Sequence, residues 1–400
     1  MYLLYVANNI LLFVAGLGIL QAILLCSLLY FHPKSDRSVN LFLGLYVISL
    51  SLPMLMPLIQ HLFYWQGTTF VDPILSLVGP SLYLYVKGFK EIITWKKAWP
   101  HYLFFLANVL GDIWFYYAVA SKYDSSSIFP AEAINHPILI STVLIRVVQL
   151  LIYYFLSRRS LASYQKSIKH IFSETTQINL NWMKWLINGY LFLVLFMLFI
   201  FIFILSYPEY FTLLSLAHSA VLTPYIYIVT YKGIFQPSLW QFHQNIDKKQ
   251  VEKNMQQAEE IENLGTGLQR KATLKTGLDK TKLESLLVRV ISLVENEKIY
   301  QEPELTLQQL ADKLNVPAYQ VSLTLNEGMK RTFYDLINGY RVNEAKKLLT
   351  DSKNKNFTIL SVGFEAGFNS KTAFNTVFKK LTGLTPTEYR DRNTKTIDYN

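Results

Sequence analysis

The sequence predicts an all-α protein in two unlike parts, a polytopic transmembrane helical domain followed by a C-terminal double helix-turn-helix domain. Three observations carry this. Hydrophobic residues make up 51% of the 400 and charged residues 16%, a balance too apolar for a wholly soluble chain. The apolar content is concentrated before residue 232, in seven charge-poor segments. Beyond residue 300 the pattern becomes one of short amphipathic helices separated by turn residues, and one arrangement of them occurs twice. The expected division is 1–235 for a seven-helix transmembrane sensor domain, 236–282 for a polar linker and 283–300 for an amphipathic connector helix. The double helix-turn-helix domain follows at 301–392, with a tail at 393–400.

The seven segments lie near 9–31, 40–60, 70–89, 99–120, 138–157, 184–206 and 210–231. Each is long enough to cross a hydrocarbon core of ~30 Å as a helix. The first carries no charge, no basic region precedes it and no small-residue cleavage site follows, so it reads as a retained span. Pro53, Pro57, Pro73, Gly79 and Pro80 interrupt the second and third, which a bundle tolerates when neighbours satisfy the freed carbonyls. The odd-numbered loops hold Lys34, Arg37, Lys87, Lys90, Lys96, Lys97, Arg158, Arg159, Lys166, Lys169 and Lys184, against Lys122 alone on the other side. By the positive-inside rule the N-terminus is outside and the C-terminal domain cytoplasmic. The expected location is a bacterial inner (cytoplasmic) membrane, crossed several times.

Asp112 and Arg146 fall at similar depth in the fourth and fifth segments, where they can pair. Ionisable groups inside a membrane are costly and point to function, so Asp112, Arg146 and His218 form a candidate intramembrane signal site. The competing readings are a structural ion pair and a packing histidine. Catalytic chemistry has no footing. There is no phosphate-binding glycine loop, no HExxH and no GxSxG, and the seven histidines lack metal-ligand spacing. Cys26 is the only cysteine, which excludes an intrachain disulfide or a zinc finger. The sequence therefore predicts neither enzyme nor cofactor.

Residues 236–282 are polar and broken by Gly265, Gly267 and Gly277, a tether that is either solvated or a short coiled coil. Leu283, Leu286, Leu287, Val290, Ile291 and Val294 share one helical face, which needs cover from the following domain or from a second copy. From Lys232 onward the chain carries 25 basic and 20 acidic residues, a net +5 that suits phosphate attraction.

The first helix-turn-helix opens with Thr306 as N-cap and Leu307, Leu310, Ala311 and Leu314 on one face. Asn315-Val316-Pro317 makes the turn, and a second helix runs from about Ala318 to Glu327 with Val321 and Leu325 inward. A longer helix, Phe333–Thr350, buries Phe333, Leu336, Ile337, Tyr340, Ala345, Leu348 and Leu349. The pattern then recurs. Thr358 to Glu365 is the first helix and Ala366–Asn369 the turn. Ser370 caps a second helix through Leu381, with Phe374 and Phe378 in the core, and Thr385-Pro386 starts a last helix.

Three runs resemble the C-terminal half of the AraC/XylS DNA-binding domain: Gly363-Phe364-Glu365-Ala366-Gly367-Phe368-Asn369-Ser370-Lys371-Thr372-Ala373-Phe374, then Phe378-Lys379-Lys380, then Gly383-Leu384-Thr385-Pro386-Thr387-Glu388-Tyr389-Arg390. The likeness covers roughly Leu305 to Arg392. It implies two recognition helices reading successive major grooves, about 34 Å apart on one DNA face. The helix Phe333–Thr350 spans about 25 Å at ~1.5 Å per residue, a fitting separator.

The implied base contacts are Tyr319, Gln320, Ser322 and Leu323 on the first recognition helix and Lys371, Thr372, Asn375 and Thr376 on the second. Arg331, Lys353, Lys355, Lys379 and Lys380 suit phosphates. The chain departs from the family at Lys330, where glycine is usual before the linker helix, and it has no arginine on the first recognition helix. The resemblance implies a membrane-bound one-component transcriptional regulator. Its partners would be double-stranded promoter DNA, the lipid bilayer, a second copy in a homodimer, RNA polymerase and an unidentified small-molecule or membrane signal. The competing class is a membrane transporter or receptor whose helix-turn-helix tail is a protein-interaction or regulatory module.

Overall fold

The computed structural model describes the chain apart from residues 1, 32–36, 55–71, 119–135, 177, 208–209, 235–251, 258–279, 355 and 398–400. The described residues are helical almost throughout, and their β structure amounts to one isolated bridge. They form two compact units. The first comprises Met1–Ala162 and Leu180–His243, the second Ser163–Asn179 and Gln244–Asn400.

In the first unit the helices are α1 Tyr2–Phe31, α2 Arg37–Ser51, α3 Val78–Gly88, α4 Trp95–Ala98, α5 Leu103–Ala118, α6 Pro137–Ile171, α7 Trp182–Ser206 and α8 Phe211–Ile234. Helix α6 runs on, and its last turns belong to the second unit. Glycines let helices approach closely: a Cβ on Gly233 would strike Leu43, and one on Gly189 would strike Tyr225. Buried tyrosines then satisfy one another and the backbone. Tyr46 bonds Tyr225 at 2.7 Å, Tyr225 donates to the Leu186 carbonyl at 2.9 Å, and Tyr190 donates to the Leu150 carbonyl at 2.9 Å.

Helices α6 and α7 are long and apolar enough to cross a membrane. The expectation of seven such spans is corrected among the described residues. Helices α2, α3 and α5 overlie expected segments but have only 15, 11 and 16 residues, short of the ~20 that a span needs. Proline supplies a reason for the second segment, where α2 gives way at Leu52-Pro53-Met54 to a 3-10 turn. The outward faces remain apolar. Ile145, Val148, Ile152 and Phe155 on α6, and Phe192, Phe199 and Ile202 on α7, are all more than half exposed. Monomeric soluble proteins rarely expose contiguous apolar stripes of this kind.

The second unit contains α9 Lys280–Asn296, α10 Leu307–Leu314, α11 Ala318–Met329, α12 Phe333–Thr350, α13 Ile359–Glu365, α14 Lys371–Thr382 and α15 Pro386–Ile397. It has two small cores. The first joins Leu286, Val290 and Val294 of α9 to Leu310, Val321, Leu325, Phe333, Leu336 and Ile337. The second joins Val342, Ala345 and Leu349 of α12 to Val362, Phe368, Phe374 and Phe378. Helix α12 thus gives its first half to one core and its second half to the other. On α12, Tyr340 and Leu348 are half-buried rather than buried.

The open question about the apolar face of α9 has an answer here: the helix-turn-helix itself covers it. A Cβ on Gly328 would lie 2.8 Å from the Leu287 side chain, and Arg289 donates to the Leu314 carbonyl at the end of α10. Helix α9 is therefore part of the first core and not a free connector. Of the linker, residues 252–257 are helical and most of the remainder lies outside the described residues.

Candidate functional site

Local chemistry sets each helix of the double device. Thr306 accepts from the Gln309 N–H at 3.2 Å while the Gln309 side chain accepts from the Thr306 N–H at 2.8 Å, a closed capping box. Asn315, at φ +56, ends α10 in the left-handed region, and Pro317 leads into α11. Thr332, Thr358 and Ser370 cap α12, α13 and α14 by accepting from Asp335, Ser361 and Ala373 N–H groups. Thr385 and Glu388 close a second box ahead of α15, and this capping holds the exposed Glu388 carboxyl below its ordinary pKa.

The turn before α12 departs from glycine at a cost. Lys330 sits at φ +53, where a Cβ is disfavoured, and its N–H still closes α11 on the Asn326 carbonyl. Gly328, two residues earlier, serves instead the close approach of α9. In the second device the turn does use glycine. Gly367 stands at φ +96 with its α-carbon against the Tyr300–Gln301 backbone, and an added Cβ would lie 2.7 Å from the Gln301 α-carbon. The turn of the second helix-turn-helix is therefore pressed onto the segment that precedes the first.

The second helices of the two devices, α11 and α14, differ sharply. On α14, Lys371, Thr372, Thr376, Lys379 and Lys380 are exposed and Asn375 is half-buried, while Ala373, Phe374, Val377 and Phe378 face inward. The polar residues thus form one open face opposite Phe374 and Phe378. On α11, Tyr319 and Gln320 are half-buried, and a 3.2 Å hydrogen bond joins their side chains. Ser322 and Leu323, implied as base contacts by the resemblance, are only 5% and 4% exposed. The Ser322 and Thr324 hydroxyls are buried without a hydrogen-bond partner.

Of the expected phosphate ligands, Arg331, Lys353 and Lys379 are exposed. Lys380 lies 3.9 Å from Asp335 and over the Tyr334 ring, and Lys355 is outside the described residues.

Pattern reading missed Arg341. It is the largest fully buried side chain of the described residues, with its guanidinium donating to the carbonyls of Tyr300 (2.7 Å), Glu302 (2.7 Å) and Pro303 (3.2 Å). Burial pulls its pKa down to about 10, against the attraction of Glu174. The available signal was its register, four residues after Ile337 and four before Ala345 on the buried stripe.

In the first unit the structure brings Asp112 and Arg146 together. Arg146 Nη2 lies 2.6 and 2.7 Å from the two Asp112 oxygens, and its Nε donates to Asn108 Oδ1 at 2.7 Å. All three residues are buried. His218 is not part of this group. It stacks on Phe196 and lines a cavity with Tyr190, Leu150, Met197 and Leu222. Among the described residues no group of three His, Cys, Asp or Glu side chains converges as metal ligands would.

A family model described as a helix-turn-helix domain matches residues 310–392, which supports a DNA-binding transcription regulator of AraC type. No curated protein and no solved structure matches the chain.

Proposed function

We propose that the protein is a membrane-bound one-component transcription regulator, in which the second unit reads promoter DNA and the first responds to a signal at or within the bilayer. The observation that carries the DNA reading is α14. Lys371, Thr372, Asn375 and Thr376 stand on one face of a capped helix, backed by Phe374 and Phe378. Lysine pairs with guanine, asparagine with adenine, and threonine meets the thymine methyl. Lys379, Lys353 and Arg331 then position the duplex through phosphates. From α11, Tyr319 and Gln320 are the available readers, with Ser322 and Leu323 contributing only in a state that exposes them.

The membrane reading rests on α6 and α7 and their lipid-compatible outward faces. The last turns of α6 and the residues that follow it, through Asn179, fold with the second unit. A loop between two spans and a DNA-binding domain in one folded unit lie on one side of a membrane. The lysine and arginine bias makes that side cytoplasmic. Asp112–Arg146 and the cavity beside His218 are the places where a signal would act.

The test uses the full chain in nanodiscs with fragmented genomic DNA at two salt concentrations. A recovered motif, held less tightly at higher salt and weakened by Asn375→Ala, is the expected result. Salt-insensitive, motif-free retention would point to the competing class, a membrane protein whose helical tail binds protein.

A further inference from the structure

Helix α6 does not end in a simple loop. Its last residue, Ile171, and the next four, Phe172 to Thr175, are all at most 7% exposed, and all belong to the second unit. Phe172 forms an antiparallel bridge with Thr306, the N-cap of α10. Ser173 donates twice to the Leu305 carbonyl, from its N–H at 3.2 Å and its hydroxyl at 2.7 Å. Asn338 on α12 donates to the Ser173 carbonyl at 2.9 Å, and Arg341 Nη2 donates to the Ser173 hydroxyl at 3.2 Å. The Glu174 carboxylate accepts from the Thr176 N–H at 2.6 Å, and its charge acts on the Arg341 guanidinium.

We propose that Phe172–Thr175 is a built-in docking ligand of the DNA-binding unit, seated in a polar socket made by Leu305, Thr306, Asn338 and Arg341, and that its seating sets how firmly the first helix-turn-helix is held. The socket matches the segment group for group: a carbonyl for the serine donors, an amide for its carbonyl, and a guanidinium for its hydroxyl. Each partner also serves the device. Leu305 and Thr306 start α10, while Asn338 and Arg341 stand where α12 passes between the two cores. Withdrawing the segment takes one of the two acceptors of the buried Asn338 amide and one of the three around Arg341 Nη2, and a buried amide N–H left without an acceptor is costly.

The consequence for regulation rests on the proposed function. The helix that carries Arg146 of the proposed intramembrane pair ends at Ile171 and leads directly into the seated segment. A signal that favours one placement of α6 would then bias the first helix-turn-helix more than the second. Such a signal works only through different affinity for the seated and unseated states.

Amide hydrogen exchange on the full chain in nanodiscs tests the seating without DNA, so its outcome is independent of whether the unit binds a promoter. In the wild-type chain the Ser173 amide and the amides of Leu310–Leu314 should open as one cooperative unit. Ser173→Ala should speed exchange through α10 and the first half of α12 about tenfold, with Val377 and Phe378 on α14 unchanged. Ser173→Pro, which removes the N–H donor as well, should go further. Free exchange at Ser173 while α10 stays protected in the wild type would overturn the proposal. So would an unseated variant with α10 unchanged, or one in which α14 loosens equally.

Discussion

Helices α11 and α14 hold equivalent places in two copies of one device, and each buries an inner face of the kind that helical spacing dictates. Their outer faces part company. Helix α14 leaves Lys371, Thr372, Thr376 and Lys379 in the open, whereas α11 has Ser322 and Leu323 almost wholly covered and carries no arginine. The first copy is also the more heavily tied. Helix α9 lies on it through Leu287 and Gly328, and the 172–175 segment is bonded at its start. Two similar patterns can therefore do unequal work. The second helix stands open, and the first is held.

The strongest challenge to this contrast is at the turn inside the second copy, which presses on the Tyr300–Gln301 backbone. Gly367→Ala should destabilise the second core by on the order of 3 kcal/mol, because φ is +96 and the new Cβ meets backbone that has no rotamer to yield. Loss of exchange protection in α13 and α14 would show it; an unchanged protection pattern would mean that the Tyr300–Gln301 contact is absent in solution.

A paired substitution separates the roles of the helices. Leu323→Ala should cost about 2–4 kcal/mol of stability, the usual penalty for emptying a packed site. Lys371→Ala should leave stability within ~0.5 kcal/mol while weakening promoter binding by about tenfold or more. If Leu323→Ala leaves the opening free energy alone and changes the preferred DNA motif, α11 reads bases after all.

Lys330→Gly should stabilise the first device by about 1 kcal/mol, since glycine accepts the left-handed conformation without strain. A denaturant midpoint that falls instead would show the lysine side chain to matter more than its backbone. The smallest effect is expected at Glu388, whose folded pKa is lowered by capping Thr385. Its contribution is complete above the unfolded value of about 4.3 and disappears as pH drops through the lower folded value. Glu388→Gln should flatten that acid dependence for α15.

Much of the second unit was legible because its signals are local. Thr306, Thr332, Thr358 and Ser370 sit as caps where short polar residues precede apolar spacing, and Phe374 and Phe378 lie inward at i, i+4. The Asp112–Arg146 pair was legible for a different reason, since an apolar surrounding leaves two opposite charges few other partners. The first unit was harder. Apolar runs show where chain avoids water, but not where Pro53 ends a helix, so 20-residue segments became shorter ones.

Composition and periodicity settled the all-helical class and the C-terminal helix-turn-helix pattern, both properties of neighbouring residues. Folding in three dimensions decided the rest: the burial of Leu323, the covering of α9, the placing of Arg341 at the junction of two cores, and the seating of Ser173 on a carbonyl 132 residues away. Those outcomes depend on which distant groups meet, and helical spacing, which repeats every ~3.6 residues, carries no record of them.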